Sequence, residues 1–353
     1  MKINRFALLA LLTFLGAGPA FSGSTFTATG VIDMIPTSMS DDGSIVVGVG
    51  TFGTPNLYYT ESGGAVVIGD GCSSGQPAIS GDGTTIVGCN VDSQGNGNAA
   101  KWLGGTSWLD LGTVAGGVPC DLFLSGSWAL NQDGSLAVGL VYLPQLCQAS
   151  AGTWDLINGG PATALPKLFQ DRASRANAVN GDGTIIVGWQ DQFSGERVAA
   201  KWVNGVEELI LTQDGSINGE AMAVSADGNT IVGGNYGYLG HDAWIWHPDT
   251  GVQPIGRPSR ESFTALDVSD DGKTVVGFTS HSRPFVWREG KGTFYFLNFL
   301  RSRGAVVPDG FRMIAASTIS ADGNIVYGWG FNADFLVEMF KAELKTPAAG
   351  PNR

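Results

Sequence analysis

Charge is scarce in this sequence, and so is nearly everything a catalytic centre uses. Charged residues are 15% of the 353, and histidine occurs three times. The four cysteines contain no C-x-x-C pair, which removes the common zinc and thioredoxin-like arrangements. No serine sits in a G-x-S-x-G elbow, no D-x-D-x-D-G calcium loop is present, and no local motif isolates two carboxylates as an acid–base pair. Lys and Arg number 20 against 32 Asp and Glu, for a net charge of −12. That balance speaks against nucleic acid or an anionic membrane surface as partner. After the first 17 residues no apolar run approaches the length of a membrane-spanning helix.

The start of the chain has the layout of a secretory signal peptide. Lys2 and Arg5 precede an apolar run from Phe6 to Ala17, and Ala20 and Ser22 are small residues at the −3 and −1 positions of a cut before Gly23. Cutting 22 residues from 353 leaves 331 and takes the charge from −12 to −14. An exported chain with an even count of cysteines, Cys72, Cys89, Cys120 and Cys147, is expected to hold two disulfides. Glycine is plentiful, at 53 residues, which favours a turn-rich β protein.

One motif returns seven times: SDDGSIVVG, SGDGTTIVG, NQDGSLAVG, NGDGTIIVG, SADGNTIVG, SDDGKTVVG and SADGNIVYG. Its Asp-Gly falls at 42, 82, 133, 182, 227, 271 and 322, a mean spacing of about 47 residues. Asp-Gly is the strongest short hairpin signal, and both residues are expected at positive φ in a tight turn. The third and fourth residues after each Gly are apolar in all copies, as in a strand covered on both faces. A third strand with an aromatic follows, as in AAKWLGG (99–105) and DAWIWHPDTG (242–251), and then a short fourth such as EELIL (207–211).

Four short strands repeated seven times predict an all-β, seven-bladed β-propeller over residues 23–345, with 346–353 as a tail. The alternative, an open solenoid, would leave both end faces bare. The last copy supplies only three strands. GVIDMIP (30–36), which matches GVQPIG (251–256), is expected to add the fourth from the N-terminus and close the ring.

The composite A-x-x-W-x-x-G-x-x-x-x-L-G, followed by a strand and D-G-x-x-V-V-G, resembles the HAF-type extracellular repeat of bacterial secreted proteins. AAKWLGGTSWLDLGTVAGG and HDAWIWHPDTGVQPIG carry the likeness best, and it spans residues 26–344. The resemblance implies a secreted repeat protein, related to repeats in autotransporter passengers, and brings no catalytic set. A self-exporting autotransporter is not the expectation, since the repeats reach residue 344 and no long C-terminal barrel region stands beside them in these 353 residues.

Each candidate site has a plainer structural role beside its chemical one. The seven Asp-Gly turns could offer calcium ligands, but hairpin geometry accounts for them. The Gly ending each copy could cradle phosphate, but no helix follows to supply the N–H groups, so close backbone approach is the better account. His241 and His281 both precede an aromatic strand, and either could act as a base beside Asp242, Tyr236 or Tyr238.

In a propeller the blade-to-blade crossings and the loops after strand two share one face, opposite the Asp-Gly hairpins. Seven of the 12 arginines fall in crossings: Arg172, Arg175, Arg257, Arg260, Arg301, Arg303 and Arg312. Arg283, both histidines, Tyr236, Tyr238 and Trp189 join them there. Such a rim suits an acidic glycan or a carboxylate-bearing partner. The plainer reading pairs these arginines with Asp171, Glu261 and Asp309. The cysteines flank the second and third hairpins on the same face, which predicts Cys72–Cys89 and Cys120–Cys147.

The expected protein is thus a secreted or periplasmic, monomeric, non-enzymatic binding scaffold, with no metal or cofactor. Its ligand would be a glycan or a cell-envelope partner on the arginine-bearing face. A secreted polysaccharide lyase or glycoside hydrolase is the alternative on fold analogy, and a purely structural surface protein a third.

Overall fold

A computed structural model describes residues 23–51, 55–120, 123–144, 147–216, 218–234, 242–256 and 261–345. The chain forms seven antiparallel sheets of four strands each, arranged as the blades of a propeller. The fourth blade is representative: Ser174–Val179 lies innermost, then Ile185–Asp191, Arg197–Val203 and, outermost, Val206–Leu209. The seventh blade takes its outermost strand from the other end of the chain, where Thr25–Ile32 pairs with Val337–Glu343. The ring closes as expected, but with 25–32 rather than 30–36 as the closing strand. Gly30 and Asp33 take positive φ, and Met34–Met39 already belongs to the innermost strand of the first blade.

Each repeat turn is a small hydrogen-bonded machine. In the first, Gly43 N–H donates to the Ser40 carbonyl, Ile45 N–H donates to Ser40 Oγ, and the Asp42 carboxylate accepts from Ser40 Oγ and from Ser44 N–H. In all seven copies the Asp carboxylate accepts the N–H two residues on. Only the Gly of each pair has positive φ. The expectation of two positive-φ residues is corrected accordingly: the loop is a four-residue turn closed by a left-handed Gly, with Asp present for its carboxylate. These bonds hold six of the seven carboxyls below the usual range, at Asp227 and Asp322 against the larger single effect of burial. The turn uses the Asp oxygens itself, which agrees with a structural role.

The paired apolar residues after each turn are sealed between blades: Val46 and Val47, Val275 and Val276, and their counterparts are at most 5% exposed. Indoles stitch neighbouring blades, with Trp154 Nε1 donating to the Gly112 carbonyl and Trp202 Nε1 to that of Pro166. Cys72–Cys89 and Cys120–Cys147 are both bonded as expected, each with its Cα atoms 5.3 Å apart.

Among the described residues, helix is limited to the six residues Phe296–Arg301, a crossing between the sixth and seventh blades that buries Phe296, Phe299 and Leu300. No helix among the described residues is long and apolar enough to cross a membrane.

The Gly that ends each copy has a use the repeat does not announce. In six blades the innermost strand carries a β-bulge opposite it. There the innermost strand's carbonyl lies where a Cβ would be: Arg175 O at Gly188, Thr264 O at Gly277 and Ala315 O at Gly328. Gly permits the bulge, and the bulge turns one extra side chain toward the ring axis.

Candidate functional site

The innermost strands surround a central channel of about 770 Å³. The bulge residues Thr37, Trp128, Asn177, Met222, Leu266 and Ser317 line it. With Phe278 and Trp329 they give it half-buried aromatic and aliphatic walls.

One wall of this mouth concentrates charge. The Arg175 guanidinium lies 3.9 Å from the Trp128 ring centre and 5.5 Å from that of Trp189, and Arg197 lies 3.6 Å from Trp189 on its own account. Trp128, Arg175, Trp189 and Arg197 therefore form a ladder of alternating indole and guanidinium. Glu220 joins its two cations, with Oε2 at 3.2 Å from Arg175 and Oε1 at 2.5 Å from Arg197.

Arg197 also reaches Asp191 at 3.2 Å, and Asn177 accepts from Arg175 Nε while donating to Glu220 and to the Ala221 carbonyl. Burial works against charge on Arg197, but Glu220 and Asp191 outweigh it and hold the guanidinium above its ordinary value. Trp189 is 5% exposed, and its Nε1 is buried without a hydrogen-bond partner.

The sequence-derived candidates divide sharply. Arg175 and Trp189 belong to this ladder. Arg172 is a separate contact, donating to the Phe193 carbonyl and packing 5.6 Å from its ring. Arg283 and His281 gather at Glu261, at 3.2 and 3.6 Å, where Tyr295 OH also donates. Glu261 is one of the acidic partners named by the plainer reading. Arg312 is exposed at the start of the seventh innermost strand, away from the ladder.

Arg303 corrects the expected rim, because the short helix doubles back toward the hairpin face. The Arg303 carbonyl accepts Ser24 N–H, beside the closing strand where Thr25 pairs with Glu343. Its guanidinium shares Phe299 with Arg288, which itself donates to the Gly323 carbonyl of the last Asp-Gly turn. Arg301, exposed in the last turn of that helix, leaves the rim with it. Tyr236, Tyr238, His241, Arg257 and Arg260 lie outside the described residues, as do residues 1–22, expected as a signal peptide, and 346–353.

Trp128, Asn177, Arg197 and Glu220 were not singled out from the sequence. Trp128 and Asn177 share a signal that could have found them: each stands three residues before the Ser or Asn of its repeat turn. Read down the copies, that column is Thr37, Pro77, Trp128, Asn177, Met222, Leu266 and Ser317, and all but Pro77 line the channel. Arg197 and Glu220 carry no comparable mark.

Among the described residues no group of three His, Cys, Asp or Glu could hold a metal ion. The mouth carboxylates Glu220 and Asp191 are bound by arginine, which suits positioning better than proton transfer. The chemistry on offer is stacking against aromatic faces and charge-assisted hydrogen bonding.

No family model matches the chain, and no curated protein matches it in sequence. Solved structures do match in fold. Oligogalacturonate lyase from Vibrio parahaemolyticus aligns at a TM-score of 0.58 with 15% identity, over 91% of this chain and 93% of that one. The β-propeller domain of the trilobed protease from Pyrococcus furiosus aligns at 0.55 with 12% identity, over 93% and 100%. Hydrazine synthase from Kuenenia stuttgartiensis aligns at 0.51 with 14% identity, over 94% and 98%. At these identities the likeness establishes one thing, that this chain is a β-propeller.

Proposed function

We propose that this protein is a secreted or periplasmic binding scaffold of the extracellular-repeat class. It takes an acidic glycan, or another carboxylate-bearing envelope component, into the crossing-loop mouth of its channel. The reading is carried by the Trp128–Arg175–Trp189–Arg197 ladder with Glu220 between its cations. Glu220 displays the ligand chemistry this wall is built for, a carboxylate shared by two guanidiniums. The described bonds of Arg197 use two of its five N–H groups. Half-buried Trp128, Phe278 and Trp329 supply faces on which sugar rings stack. Two disulfides fit an oxidising compartment.

The test is a glycan array with the protein from Gly23 onward, followed by titration of retained acidic oligosaccharides. Trp128→Ala is expected to weaken retention about tenfold or more, as loss of an aromatic anchor does. Charge reversal at Arg301, Arg303 and Arg312 is expected to leave it unchanged, since these residues lie away from the ladder. Retention that is insensitive to Trp128→Ala would sink the proposed site. Progressive shortening of a retained oligosaccharide would instead support a carbohydrate-active enzyme.

A further inference from the structure

The opposite end of the channel is built differently. The residue before each Asp-Gly pair, at 41, 81, 132, 181, 226, 270 and 321, donates its N–H to the carbonyl of the same residue in the next blade. Asp41 donates to Gly81, Gly81 to Gln132, Gln132 to Gly181, Gly181 to Ala226, Ala226 to Asp270, Asp270 to Ala321, and Ala321 back to Asp41, at 2.9–3.3 Å. Seven backbone bonds form an unbroken circle. Seven residues about 4.8 Å apart make a ring roughly 11 Å across from Cα to Cα. All seven line the channel, so the ring is its floor.

Side chains fill what the ring leaves open. Gln132 Nε2 crosses from the third blade to Asp41 Oδ2 at 2.9 Å and to Asp270 Oδ2 at 3.2 Å. The ring residues on either side of Gln132 are Gly81 and Gly181. A side chain at Gly81 would strike the Asp41 carboxylate, and one at Gly181 would crowd Gln132 and the Ala226 carbonyl.

We infer that the channel is a blind pit, sealed on the hairpin face by this backbone belt and its Asp41–Gln132–Asp270 plug, and that it takes a linear ligand by its end rather than threading it. The inference rests on the channel being the binding site and adds a specificity: chain termini are recognised, internal segments are not. A pore would let a polymer pass and bind at any position along its length. A pit open only at the Arg175–Arg197 mouth admits a terminus to the depth of the floor.

Two measurements decide it. The first needs no ligand: amide hydrogen exchange, resolved by residue, in the protein from Gly23 onward. The seven belt amides are expected to exchange at least about a hundredfold more slowly than the amides of the Asp residues that follow them, although both sit at loop tips. Equal rates would show that the belt opens, and would overturn the pit. The second compares linear oligogalacturonides with carboxymethylated cyclodextrin, which is acidic but has no end. Binding of the linear probe alone supports end-on capture; equal binding of the ring overturns it. If neither probe binds, the proposed acidic-glycan ligand fails, and the pit is judged on the exchange rates. Gln132→Ala, which leaves the backbone belt intact, is expected to preserve the slow amides.

Discussion

The two ends of the channel are made by opposite means. The floor is chiefly backbone: one hydrogen bond repeated seven times, with a single side-chain bridge from Gln132 across it. The mouth is side chain: Trp128, Arg175, Trp189, Arg197 and Glu220 come from three consecutive blades and occur once each. A repeat can encode the first, because identical units around an axis meet their neighbours identically. It cannot encode the second, where each blade must depart from the pattern in its own way. Regularity builds the container, and departures from it build the recognition.

That contrast can be broken at several points, with effects of decreasing size. Gly188→Ala attacks the frame of the mouth, because the added Cβ meets the Arg175 carbonyl at the bulge that aims Asn177 into the channel. A contact with backbone cannot relax by rotamer change, so a loss of about 4 kcal/mol is expected in urea unfolding. Gly256→Ala, where a Cβ would meet nothing within 4 Å, is the control. Glu220→Gln leaves two arginines without their shared carboxylate. A destabilisation of about 3 kcal/mol is expected by the same measurement, and retention of acidic ligands should change with it. A neutral result would mean the ladder is not held by charge.

The floor should respond more weakly and with a pH signature. Burial, then the charges of Asp41 and Asp271, push the Asp270 carboxyl up to about 6, while Gln132 bridges it to Asp41. A carboxyl raised in the folded state binds its proton more tightly than in the unfolded chain. Its own contribution to stability is therefore full below about pH 4, falls as pH rises toward 6, and is flat above. Asp270→Asn should remove this share of the pH dependence and, with solvent screening of the half-buried carboxyl allowed for, leave the variant more stable at pH 7 by about 2 kcal/mol. A variant less stable than the parent at pH 7 would contradict this. Gln132→Ala removes two side-chain bonds but none of the belt, and should cost under about 1 kcal/mol at pH 7.

Much of the frame could be read directly. The period, the hairpins, the buried apolar pairs and both cysteine pairings follow from local signals and from counting. The closing strand was right in kind and misplaced in residues, because GVIDMIP matches an outer strand in composition while the chain turns at Gly30 and Asp33 into the first blade. The expected rim residues separate in space. Arg175 and Trp189 lie at the mouth, whereas Phe296–Arg301, whose Phe296, Phe299 and Leu300 seek the core, carries Arg303 to the other face. Blade-to-blade position assigns a residue to a connection, but the apolar residues of that connection decide where it runs.

The amino-acid sequence alone determined the unit and its multiplicity, since S-x-D-G turns, apolar pairs and a terminal Gly act over a few residues and repeat. Ring closure decided the rest. Trp128, Arg175 and Glu220 are 47 and 45 positions apart in sequence, and no local preference relates them. They meet because seven bulged strands are bent round one axis, where each bulge brings its extra side chain within reach of the next blade. The belt has the same origin: six of its N–H groups find partners as neighbouring blades dock, and the seventh, that of Ala321, only when the last blade docks on the first.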